Sequence, residues 1–187
     1  DMGNLVLKDQ IEAHLSRLIA LPLTITRRAA DLRIFHFGTV RPYKKGHVGE
    51  YALHIQCPWR IDGPAGIITG RADLFYDPNG KYFTEEWDYS GDSIQDIQLD
   101  RLLGTKDPIS RLFTDQDKQL VVERVEGTIL GDAAVFFSKG YRLAMFPSGI
   151  KSEAWRLFKP GNEEEHFVID EESLREQSGQ PNQGNAA

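Results

Sequence analysis

Two histidines, one cysteine and a run of carboxylates are the residues whose chemistry comes first. His36 and His54 fall in neighbouring extended segments, with Cys57 close behind. Zinc takes such ligands in tetrahedral sets. A regular strand turns His54 and Cys57 to opposite faces, and no third ligand joins them. The expectation is therefore no metal site and ordinary half-buried imidazoles. Cys57 sits in an apolar strand before Pro58, the setting of a buried, inert thiol. Glu85, Glu86, Asp88 and Asp92 are of the type that does general acid–base work or holds calcium. Alternation puts Glu86 and Asp88 on one face and Glu85 with Trp87 on the other. The plainer reading is a solvated edge strand whose charges guard against aggregation. The turn Asp77-Pro78-Asn79-Gly80 echoes a calcium loop but lacks its later ligands. There is no Gly-x-Ser-x-Gly elbow, and Ser148 to Lys151 has the Ser-x-x-Lys spacing without its companion motifs. No phosphate-binding glycine loop or dinucleotide fingerprint is present. No catalytic residue is assigned and no cofactor is implied.

The elements that must position these residues begin with a helix. Asn4 can cap it, Leu7, Ile11, Leu15, Leu18 and Ile19 recur at helical spacing, and Pro22 stops it. Leu32 to Phe37 is apolar on both faces, a strand between layers. Gly38 to Gly49 is a basic loop, its Arg41 to Lys45 run having the composition of a phosphate contact. Tyr51 to Cys57 alternates, Pro58 interrupts it, and Trp59 to Ile61 continues extended. Ile67 to Tyr76 reads as a strand, and Lys81 to Trp87 as its hairpin partner across the Asp77 turn. Ser93 with Asp96 forms a capping box for a helix running to Leu103, with Gly104 past its end. Pro108 to Phe113 is a further helical turn. Strands follow at Gln119 to Ile129, Ala133 to Ser138, Tyr141 to Phe146, Ala154 to Phe158 and His166 to Ile169, with Lys139-Gly140 a two-residue hairpin loop.

The 187 residues suit one domain, residues 1–176, with a disordered polar tail at 177–187. Ten Phe, six Tyr and three Trp supply a sizeable core, and a formal net charge of -6 disfavours nucleic acid as a partner. A lone cysteine excludes an intramolecular disulfide and suits a reducing compartment. No segment near the start reads as a leader. The longest apolar stretch there, Leu18 to Ile25, falls far short of the roughly 20 residues a membrane helix needs. A cytoplasmic protein without membrane contact is the expectation. Charge is uneven. Residues 23–60 hold seven basic and two acidic side chains, whereas residues 77–100 hold seven acidic and one basic. An acidic surface at Glu85, Glu86, Asp88 and Asp92 would steer a basic protein partner.

The two strand-rich stretches resemble each other. Ala30 to Phe35 aligns with Gly131 to Phe136, and each half later carries a Trp-Arg pair, Trp59-Arg60 and Trp155-Arg156. A diverged tandem repeat is one reading, with half-units 23–76 and 119–170 and a connector at 77–118. The other is that β-meanders share turns and alternation. The tryptophans then pack against the facing sheet while the arginines cover their edges.

The run Ala52 to Arg60, the Phe-Ser-Lys-Gly hairpin followed by Phe146-Pro147, and Glu153-Ala154-Trp155-Arg156 resemble phrases of small uncharacterised bacterial β-rich proteins, some similar to immunity-type proteins of toxin loci. The resemblance spans about a quarter of the chain and rests on hairpin and core features. It implies a partner-binding protein without catalytic residues.

The expected fold is α+β: mainly antiparallel sheet in two related halves, an N-terminal helix covering one sheet, and a helical connecting segment. The leading functional expectation is a non-catalytic, immunity-like interaction module. The alternative is a small-molecule-binding protein or enzyme, its pocket between the sheets lined by His36, His54, Trp59, Arg60, Trp155 and Arg156. A third is a structural subunit of a homo-oligomer, joined through an unpaired strand edge or apolar patch.

Overall fold

The computed structural model describes residues 5–104, 119–162 and 165–178. Helix α1 (Leu7–Leu15) runs into a 3-10 turn, Ser16–Leu18. Its apolar stripe buries Leu7, Ile11, Leu15 and Leu18, while Ile19 faces solvent. Strands β1 (Leu23–Ala29), β2 (Leu32–Phe37) and β5 (Tyr51–Ile55) form an antiparallel meander. A small hairpin, β3 (Arg41–Tyr43) and β4 (Gly46–Val48), is inserted between β2 and β5. The chain then crosses to a second sheet for β6 (Trp59–Gly63) and β7 (Gly66–Gly70). Helix α2 (Ile94–Leu103) follows. Strands β8 (Val122–Gly127), β9 (Ala133–Phe137) and β10 (Arg142–Met145) make a second meander, and β11 (Trp155–Phe158) and β12 (Phe167–Ile169) return to the first sheet. Helix α3 (Glu171–Ser178) ends the described chain.

The first sheet has the order β1-β2-β5-β11-β12 and the second β8-β9-β10-β6-β7. Each is therefore a three-strand meander from one half of the chain completed by a hairpin from the other. The registers match as well. Ile55 lies between Arg33 and Trp155, and Met145 lies between Ala133 and Trp59. Arg33 thus takes the place of Ala133, one residue off the alignment read from sequence, because Arg33 points inward where an apolar side chain was expected. Arg33 is 2% exposed.

Inward side chains of both sheets fill the space between them. Phe35 meets Trp59 edge-on at 5.5 Å, and Phe37 stacks on Phe137 at 6.3 Å. The starts of β1 and β8 hydrogen-bond to each other, Leu23 N–H to Leu120 O at 2.8 Å and Val122 N–H to Leu21 O at 3.0 Å. Each open side of the pair is covered by a helix. Helix α1 packs on β8 and reaches β12, where His14 stacks on Phe167 at 4.0 Å. Gly127 permits this approach, since a Cβ there would lie 2.7 Å from Ile11 Cγ2. Helix α2 packs against β1 and β7. Its capping box is formed by Ser93 and Asp96, and Gly104 ends it at a φ of 80°.

Several elements differ from their sequence expectation. Leu23 to Ala29 is a strand, although Thr24, Thr26 and the Arg27-Arg28 pair obscure its alternation. Ile67 to Tyr76 is strand only to Gly70, then a 3-10 turn at Arg71–Phe75. Lys81 to Trp87 forms no edge strand; only the Tyr76–Tyr82 bridge pairs across the Asp77 turn, and the rest is loop. Asn4, the turn at Pro108 to Phe113 and the tail beyond Ser178 lie outside the described residues.

Candidate functional site

The outward faces of the two sheets are not alike. On the second sheet β9 and β10 are joined by a tight turn in which Lys139 and Gly140 take positive φ, and β6 and β7 are joined through Pro64 and Ala65. On the first sheet both corresponding connections are long. Residues 38–50 carry the β3–β4 hairpin, and β11 ends at Phe158 while β12 begins only at Phe167. The two long connections touch. Arg41 Nη2 donates to Pro160 O at 2.7 Å, and Gly161, at a φ of 90°, lies against the Tyr43 ring. Between them and the sheet is a cleft of about 230 Å³.

Cross-strand neighbours build its floor. One row reads Ile34, His54 and Arg156, and the next His36, Ala52 and Phe158. The corresponding rows on the second sheet read Ala134, Ala144 and Arg60, then Phe136, Arg142 and Asp62. The imidazoles occur only where the insertions cover them.

His36 is 4% exposed. Its Nδ1 accepts from the Gly49 N–H at 3.0 Å, so the neutral ring carries its proton on Nε2. Gly49 is required there, since a Cβ would lie 2.7 Å from Phe37 O. Nε2 faces Arg27 Nη2 at 3.3 Å. Both are donors, so they do not satisfy each other, and one acceptor bridging them from the cleft side would satisfy both. Arg27 also donates to His47 O. Among the described residues no carboxylate pairs with Arg27 or Arg41. Burial, then the Arg27 charge, pushes His36 down to about 3. Burial, then the Arg156 charge, brings His54 to about 4 against the opposing pull of Glu153. Both are neutral near pH 7.

The remaining walls are aromatic. His54 sits edge-on to Phe158 at 4.8 Å, and His166 stacks on Phe158 at 4.4 Å. Arg156 donates to His166 Nδ1 at 2.9 Å and pairs with Glu153. Arg41 and Lys44 each lie 5.3 Å from the Tyr43 ring centroid.

Of the residues read as a pocket between the sheets, His36, His54 and Arg156 do converge, but on the outside of the first sheet. The seam itself is filled. Trp59 and Trp155 are core residues, the latter donating to Gly131 O at 2.9 Å. Arg60 lies exposed on the second sheet, paired with Asp62. Cys57 is buried and its thiol is pushed up to about 12 by burial. Among the described residues no group of three or more His, Cys, Asp or Glu side chains converges as a metal centre would need.

Glu85, Glu86, Asp88 and Asp92 are exposed on the loop before α2. Rings brace that loop: Phe83 stacks on Trp87 at 3.9 Å, and Trp87 meets Tyr89 at 4.8 Å. Asp88 accepts from Ser90 N–H at 3.0 Å. Sequence reasoning missed Arg27, Tyr43, Phe158 and His166 as lining residues. The basic insert at Arg41 to Lys45 was the one available signal, since a long connection where the other half has a tight turn marks added material. No helix among the described residues is long and apolar enough to cross a membrane. Comparison with known families, with curated proteins and with solved structures finds no match for this chain.

Proposed function

We propose that the protein binds a small anionic ligand in the cleft beneath the β3–β4 hairpin. The observation that carries this reading is the pair of adjacent donors, Arg27 Nη2 and buried His36 Nε2–H, which among the described residues share no acceptor and have no carboxylate on Arg27. A guanidinium in a partly desolvated concave site binds an anion more strongly than one in water. The site lies where the chain departs from its own repeated pattern, and the matching strand orders support an origin by tandem duplication with exchanged hairpins. Thermal shift with a panel of small carboxylates and phosphates tests the reading. At least one anion should raise the Tm of the wild type and leave Arg27→Gln unmoved. No stabilisation by any of them would refute it.

A second reading, a bacterial cytoplasmic immunity-like protein that masks a basic partner, draws support from the braced acidic loop. Charge reversal at Glu85, Glu86 and Asp88 should then weaken a captured partner and flatten the salt dependence of its binding.

A further inference from the structure

The proposed cleft is small, and its walls are flat. Five of the eleven described residues that line it carry planar rings: His36, Tyr43, His54, Phe158 and His166. At about 230 Å³ it falls below the roughly 300–1,000 Å³ typical of pockets for drug-sized ligands. Ile34 and Val48, each 8% exposed, add an apolar edge. The His54 ring makes no hydrogen bond with the described residues, so it offers a ring face and one neutral donor. Among the described residues that line the cleft, Arg27 is the charged one. Arg156 is paired with Glu153, and Arg41 is spent at the rim on Pro160 O and the Tyr43 ring.

Resting on the anion-binding reading above, we infer that the ligand is a planar aromatic ring bearing one carboxylate, about the size of benzoate or a small heteroaromatic acid. The carboxylate takes the Arg27 Nη2 and His36 Nε2–H donors. The ring lies among Phe158, His166 and Tyr43. Neutral imidazoles suit this arrangement, because they donate to the carboxylate without the cost of burying further charge. Ring-on-ring contact adds to area burial through the aromatic quadrupole, whereas a saturated ring of the same size gains only the burial.

The experiment compares benzoate, cyclohexanecarboxylate and inorganic phosphate on the whole chain, following the Gly49 amide by NMR titration. Benzoate should bind about tenfold more tightly than cyclohexanecarboxylate, near the upper limit of what aromatic contact adds. Arg27→Gln should lose both acids, and Phe158→Leu should lose only the preference for benzoate. Equal affinity for the two acids in the wild type, or phosphate binding more tightly than benzoate, overturns the aromatic proposal and leaves the anion site standing. Binding of none of the three overturns both.

Discussion

His36 shows how one side chain can be structurally costly and still retained. Its ring is buried beside a guanidinium, so it must stay neutral, and its folded pKa of about 3 lies below the ordinary 6.5. The unfolded chain then binds more protons between these values, so stability is complete above pH 6.5 and falls as pH drops toward 3. His54 adds to the slope down to about 4. Replacing His36 with Phe, the residue at the matching place on the second sheet, should flatten this acid limb in urea titrations at several pH values. An unchanged slope would mean that His36 is not the neutral buried group. The tryptophans differ in a similar way. Trp155 Nε1 donates to Gly131 O, whereas Trp59 Nε1 is buried without an acceptor among the described residues. Trp155→Phe strands a buried carbonyl and should cost about 1–2 kcal/mol more than Trp59→Phe by chemical denaturation. Sequence marked both residues as core, but nothing in it distinguished their indole N–H groups.

The elements divide by how local their signals are. Helix α2 was readable from Ser93, Asp96 and Gly104 because a capping box and a left-handed stop are written within a few residues. Strand β1 was not, because its burial comes from α2 and from β2 rather than from its own alternation. The buried Arg33 has the same cause. Its guanidinium reaches Gln95 Oε1 at 2.6 Å and Asp96 Oδ1 at 2.7 Å on a helix more than sixty residues away. Burial opposes the Asp96 charge, but hydrogen bonds from Arg28, the Ser93 N–H and Arg33 hold its carboxyl down at about 2. Asp96→Asn removes the negative charge that faces two arginines and leaves one side-chain oxygen where two accepted. It should destabilise by about 3 kcal/mol and remove the loss of stability between about pH 4 and pH 2, measured by denaturant melts. The inserted hairpin is separable by the same logic. Phe37 and Tyr51 flank it as Phe137 and Tyr141 flank Ser-Lys-Gly in the other half. Replacing residues 38–50 by Ser-Lys-Gly should leave a folded protein by circular dichroism, with a lowered Tm and no anion binding.

At the scale of the whole molecule, the α+β class was legible because alternation and turns recur. That each half completes the other's sheet was not, since strand exchange depends on contacts with no local signature. The pocket was misplaced for that reason. Two sheets with Trp-Arg pairs suggest a seam between them, but the tryptophans fill the seam and the histidines face outward under an insertion. One outer face should bind an anion and its counterpart should not. Backbone amide shift mapping with a small carboxylate tests this most directly. Shifts should centre on Arg27, His36, Gly49, Phe158 and Asn162 around the cleft, with Phe136, Ala144 and Arg60 unmoved. Shifts spread equally over both faces, or centred on the second sheet, would contradict it.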